Sequence, residues 1–141
     1  MIRGQKERLR HLLKYAGKGR NSELNLLLVD DAEMNHPQVL SSLEAIGVVP
    51  NRIFTAGDGQ EAIKIIRKEP VNLMFTDFHM PRMGGDQLLH ILKALKKLDE
   101  ICVVLLTVEH DQKVITPLLN LGLAAYIRKP IDADTMRPLL D

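Results

Sequence analysis

From Leu24 onward, short apolar runs alternate with segments whose apolar residues recur every three or four positions. That alternation is the signature of strands interleaved with helices. The runs Leu24 to Val29, Ile53 to Thr55, Val71 to Phe75, Ile101 to Leu106 and Ala124 to Ile127 predict five strands. Three of these runs are almost wholly apolar and do not alternate with polar residues, which predicts a parallel sheet covered on both faces. Val39/Leu40/Leu43/Ile46 mark a first helix, with Pro37 tolerable in its opening turn and Gly47 as its stop. Ala62/Ile63/Ile66 mark a second, and Leu88/Ile91/Leu92/Leu95 a third after the breaker pair Gly84-Gly85. In the fourth, around Val114/Ile115/Leu118/Leu119, Pro117 either kinks the helix or restarts it with Thr116 as the cap. Right-handed crossovers wrap such helices onto both faces of one sheet, giving a doubly wound α/β fold with a five-stranded parallel sheet. Only eleven residues follow Lys129-Pro130, and Pro138 is among them. The last helix is therefore predicted to be shortened to about two turns.

Composition adds little until it is split along the chain. The 141 residues, 45% of them apolar and 26% charged, suit one soluble domain with a single core. No apolar run approaches the ~20 residues of a membrane span. The one cysteine, Cys102, sits inside an apolar run, which excludes an internal disulfide and fits a reducing cytoplasm. Residues 1–22 hold seven of the nineteen Lys and Arg but one of the eighteen acidic residues, leaving a net charge of −5 over residues 23–141. A basic arm, 1–22, thus precedes an acidic body, 23–141. Within the arm, Leu9/Leu12/Leu13/Ala16 fall on one helical face, Ile2 lies one period back, and Gly17-Lys18-Gly19 ends the segment. The plain reading is an amphipathic helix packed on the body or on a second copy, covering what the short last helix leaves bare. Partner or membrane-surface binding, a nucleic-acid arm and a transit-like leader are the alternatives, the leader disfavoured by the lack of serine before Ser22.

Parallel strands end at one edge of the sheet, and ligands of open α/β sheets bind at that carboxyl edge. Four of the predicted strands end there in a polar group: Asp30-Asp31, Asp77, Thr107 and Lys129. Taken singly, a strand-end Asp is ordinarily a cap or turn former, a Thr a strand-end hydroxyl and a Lys a solvated cation. Together they converge. Three carboxylates repel one another unless a hard divalent cation accepts their oxygens. Mg²⁺ keeps several waters and often binds phosphate oxygens, while an ammonium and a hydroxyl suit the remaining ones. A carboxylate nucleophile with a metal and a lysine beside it points to phosphoryl transfer. Gly57-Asp58-Gly59 lacks the further glycine of a nucleotide fingerprint and reads as a turn.

The stretches LLLVDD, TDFHMPRMGG, LLTVEH and AAYIRKP, in this order and at these separations, resemble the receiver domain of two-component response regulators over roughly residues 24–137. The resemblance implies the flavodoxin-like strand order 2-1-3-4-5 of the chemotaxis regulator. It implies that Asp77 is the phosphoacceptor and that Asp31, Asp77 and the main-chain carbonyl of His79 ligate Mg²⁺ (or Mn²⁺), with Asp30 acting through water. Lys129 resembles the lysine that contacts the acyl phosphate, with a usually cis bond to Pro130. Thr107 resembles the hydroxyl that moves on activation, and Tyr126 the aromatic that turns inward with it. His79 and Glu109 occupy positions that tune the lifetime of the phosphoryl group. Val108 stands where the family usually has a small residue, which implies a more crowded inward turn of Tyr126.

The implied function is a single-domain response regulator, cytoplasmic, that takes phosphate from a histidine kinase or phosphotransfer protein and signals by binding a downstream target protein. It is a switch rather than a turnover enzyme. No second Asp stands two residues after Asp77, where an aspartyl-phosphate hydrolase would carry its general acid. The alternative is a phosphorylation-independent scaffold, or a homodimer formed through the arm or the last-helix face. No nucleic-acid partner is expected, because no output module follows the receiver.

Overall fold

The computed structural model describes residues 4–16, 23–30, 35–80, 83–108 and 112–141. Asp31, Glu109, Ile2 and the Gly17-Lys18-Gly19 stop lie outside the described residues, and of Ala16 only the backbone is described. Five strands, β1 (Asn25–Val29), β2 (Arg52–Ala56), β3 (Leu73–Asp77), β4 (Cys102–Thr107) and β5 (Ala125–Arg128), form one sheet. All neighbours are parallel, in the order β2-β1-β3-β4-β5. The predicted order is borne out. The three central strands β1, β3 and β4 are the buried ones, while the edge strands β2 and β5 are partly exposed.

Helices α1 (Gln5–His11), α2 (Asn35–Ala45), α3 (Gly59–Lys68), α4 (Gly85–Ala94), α5 (Gln112–Leu121) and α6 (Ala133–Met136) cover both faces. Because side chains alternate across a strand, each central strand feeds two cores. Leu26, Leu28, Leu73, Phe75, Val104 and Leu106 face α1, α2 and α6. Leu27, Val29, Met74, Val103 and Leu105 face α3, α4 and α5. Gly47, at φ 84, takes the left-handed conformation that ends α2 and lets the Val48 N–H return to the Leu43 carbonyl at 2.9 Å. The Gly57-Asp58-Gly59 turn is the start of α3, where Asp58 caps the Glu61 N–H and the Glu61 carboxylate accepts from the Gly57 N–H.

One local expectation changes, one open alternative is resolved and one expectation holds. The buried face of α4 is Gly85/Leu88/Leu89/Leu92, whereas Leu95 stands at the C-cap, past the last helical residue, and is exposed. Pro117 does not restart a helix, since α5 runs through it as one element. The last helix is shortened as predicted: α6 has four residues and passes at Arg137 into a 3-10 turn, Arg137–Leu140, in whose opening Pro138 sits.

The arm does form a helix, α1, continued by a π-helical turn over Leu12–Ala16. Leu9 and Leu13 are fully buried in the α2/α6 core. No described helix is long and apolar enough to cross a membrane.

Phe75 is fully buried at the middle of the central strand β3. Its replacement by Ala is expected to cost about 3–5 kcal/mol, read as a lower urea midpoint at unchanged slope.

Candidate functional site

The register of the sheet assembles the polar strand ends. Val29 lies opposite Ala56 and Thr76, so Asp30 leaves β1 beside Asp77, the last residue of β3. The Asp30 N–H donates to the Ala56 carbonyl at 3.0 Å, and its carboxylate is held at 2% exposure. Thr107 ends β4 and is buried. Lys129 follows β5, its N–H donating to the Thr107 carbonyl at 2.8 Å, with the Lys129-Pro130 bond cis. From there its ammonium reaches across β4 to Asp77 Oδ1 at 3.0 Å. Asp30, Asp77, Thr107 and Lys129 thus share one edge, as the strand-end pattern predicts.

The carboxylate of Asp77 is the electrostatic centre. Oδ1 also accepts the Phe78 N–H at 3.0 Å, a group shared with the Leu106 carbonyl at 3.1 Å. Burial pushes the Asp77 pKa above the usual carboxylate value, opposed by the hydrogen bond and charge of Lys129 and raised further by the charge of Asp30. Desolvation outweighs the ion pair. An ionised Asp77 is therefore held at a cost, and added positive charge at this edge would relieve it.

That is the chemistry a hard divalent cation needs. Two neighbouring carboxylates that feel each other's charge suit Mg²⁺, which prefers one or two carboxylates to an all-protein cage. Among the described residues no three His, Cys, Asp or Glu side chains cluster closely enough to hold a metal. Asp30 and Asp77 are the described part of the expected set; Asp31 is not among the described residues. Asp58, also buried and just beyond β2, has Oδ1 engaged as the cap of α3.

The other described residues of the predicted set lie on or next to the strands that form this edge. The His79 side chain is exposed, its ring 4.7 Å from that of Phe78. Tyr126 is half-buried on β5, and its hydroxyl accepts from Gln112 Nε2 at 3.2 Å, at the exposed start of α5. Val108 is exposed and so does not fill the space beneath the strand ends. Gly85 is a contributor that pattern reading treated only as a breaker. A Cβ there would stand 2.5 Å from the Asp77 carbonyl oxygen and 2.9 Å from Leu105, so glycine lets the start of α4 press against the β3 terminus. Its signal was the second glycine of the Gly84-Gly85 pair, one more than a helix stop requires.

The comparisons with known proteins agree with this geometry. A family model described as "Response regulator receiver domain" matches residues 26–141. The chemotaxis protein CheY-3 of Vibrio cholerae is 31% identical over 121 residues, covering 86% of this chain and 92% of its own. A segment of hybrid signal transduction histidine kinase D of Dictyostelium discoideum is 31% identical over 118 residues, 82% of this chain but 7% of that protein. In fold, the structure of chemotaxis response regulator CheY4 of Vibrio cholerae superposes with a TM-score of 0.70 at 23% identity, covering 83% of this chain and 95% of that one.

The direction of the Asp77 shift fixes a pH dependence. The folded state holds the Asp77 proton more tightly than the unfolded chain does, so this group's contribution is present below the unfolded carboxylate range and is lost as pH rises through the folded value. In metal-free buffer at neutral pH, Asp77→Asn is expected to raise the thermal midpoint by about 2–5 °C. The gap should close as the pH is lowered to about 4, followed by circular dichroism.

Proposed function

We propose that this chain, which belongs to the response regulator receiver domain family, is a single-domain switch phosphorylated on Asp77. Receiver domains are signalling switches rather than turnover enzymes, and they bind Mg²⁺ at acidic residues. The observation that carries the finer reading is the contact between Lys129 Nζ and Asp77 Oδ1 across β4, made where Asp77 is buried and flanked by Asp30.

In this reading Asp77 is the nucleophile: a carboxylate oxygen attacks the phosphorus of the donor and the bond to the leaving group breaks. Burial keeps bulk water from the acyl phosphate formed. Lys129, already at hydrogen-bond distance, shifts to an oxygen of the transferred group and neutralises charge as it develops. Thr107 supplies a hydroxyl from the end of β4. Asp30, Asp31, Asp77 and the His79 carbonyl would hold a Mg²⁺ or Mn²⁺ ion, which when bound offsets the negative charge shared by carboxylates and phosphate. The donor would be a histidine kinase or a phosphotransfer protein of the cytoplasm. The readout would be binding to a downstream protein, set by the extra charge of about −1.5 to −2 at the strand ends and by Tyr126 leaving Gln112. His79 and Glu109 would bear on how long the phosphoryl group lasts.

The test is reaction with acetyl phosphate in Mg²⁺, followed by intact mass. Wild-type protein is expected to gain one phosphoryl group, and Asp77→Asn or added EDTA to abolish the gain. Lys129→Ala should slow it by roughly 10²–10³-fold. Equal labelling of Asp77→Asn would overturn the reading.

A further inference from the structure

The family model begins at residue 26, so α1 and its π-helical turn lie outside it. They are nonetheless packed like core. Leu9 and Leu13 are 0% exposed and belong to one cluster with Leu24 and Cys102 at the entry of the sheet and with Met136 and Leu139 at its far end in sequence. At the other end of the chain α6 gives way at Arg137 to a 3-10 turn, where the Pro138 ring removes an amide donor and ends α-helical pairing. The helical arm packs against that turn and against β4.

Polar groups fix its position. Gln5, itself buried, donates from Nε2 to the Leu98 carbonyl at 3.1 Å. Arg8 donates to the same carbonyl at 2.9 Å, to the Asp99 carbonyl, and to Gln5 Oε1 at 3.0 Å. Leu98 and Asp99 form the turn between α4 and β4, whose carbonyls would otherwise lack these donors. A detachable peptide handle has no need of a buried amide aimed at a main-chain carbonyl 93 residues away in sequence. Exposed Lys6, Lys14 and Tyr15 point the basic side of the segment outward, so its charge pattern and its packing agree.

We propose that residues 5–16 are a built-in strap that completes the core of this receiver in place of the second half of its last helix, closing over β4 at Cys102. In this chain the region from 26 onward is then not a complete folding unit, and the arm is not free to serve as a partner-binding handle.

Cys102 provides the readout. It is the only cysteine, it is 2% exposed, and it shares with Arg8 and Leu12 the wall of an open cleft of about 930 Å³ beside the strap. The full chain is treated with a thiol reagent under native conditions. Wild-type Cys102 is expected to react slowly. The double substitution Gln5→Ala with Arg8→Ala removes the polar grip and with it the Arg8 charge that lowers the Cys102 pKa, a loss that by itself would slow labelling, so the expected rise of at least about ten-fold reports local opening. Leu13→Ala should lower the thermal midpoint by about 10 °C and speed labelling further. Lys6→Ala with Lys14→Ala, exposed on the same segment, should change neither. If Leu13→Asp prevents folding altogether, that outcome also supports the strap, because a handle packed on nothing cannot unfold the domain. Unchanged labelling and unchanged midpoint in both the Gln5/Arg8 and the Leu13 variants would overturn it.

Discussion

A carboxylate in a buried place, Asp77, with an ammonium and, among the described residues, a second carboxylate beside it, organises this molecule. Asp77 can occupy that place only because β3 is central, with β1 and β4 pairing on either side, so that its end is shielded laterally. Lys129 can reach it only because the parallel register brings the end of β5 level with Thr107, one strand away. Gly85 has no side chain where the start of α4 meets the Asp77 carbonyl, which keeps that shield closed. Each of these is a long-range consequence of the sheet order. The site is therefore a property of the fold as a whole and of no single loop.

Much of this was legible because a parallel sheet writes itself plainly. Strands buried on both faces are largely apolar, and polar residues that follow within two positions of each run mark the carboxyl edge. Asp30, Asp77, Thr107 and Lys129 were legible in the sequence for that reason. What escaped is what local pattern does not encode. Leu89 rather than Leu95 completes the buried face of α4 because the helix ends one residue before Leu95. The capping role of Asp58 depends on where α3 begins, and the hold of Gln112 on Tyr126 on how α5 sits beside β5. The leucine stripe of the arm predicted a helix but left its dock open, because the grip of Gln5 and Arg8 on Leu98 and Asp99 joins the two ends of a long sequence separation.

The two ends of the domain differ in what they ask of the chain. At the carboxyl edge of the sheet, polar groups are brought together at a cost in desolvation, which suits a place where charge is to be added. At the opposite edge the polar groups are matched donor to acceptor and the apolar ones are fully buried, which suits a place that stays closed. The arm belongs to the second end. In this account a signal is written at the first, and the packing of the strap keeps the second as a fixed frame against which the strand ends can move.

The central claim is that Asp77 is a destabilised carboxylate, raised by burial and by Asp30, and relieved by cationic charge. It is tested most directly by following the Asp77 side-chain carboxyl carbon by NMR across pH, with and without Mg²⁺. The account predicts a midpoint above the usual carboxylate value without metal, a lower midpoint in Asp30→Asn, and a fall when Mg²⁺ is added. A midpoint at or below the usual value that ignores both Asp30→Asn and Mg²⁺ would contradict it.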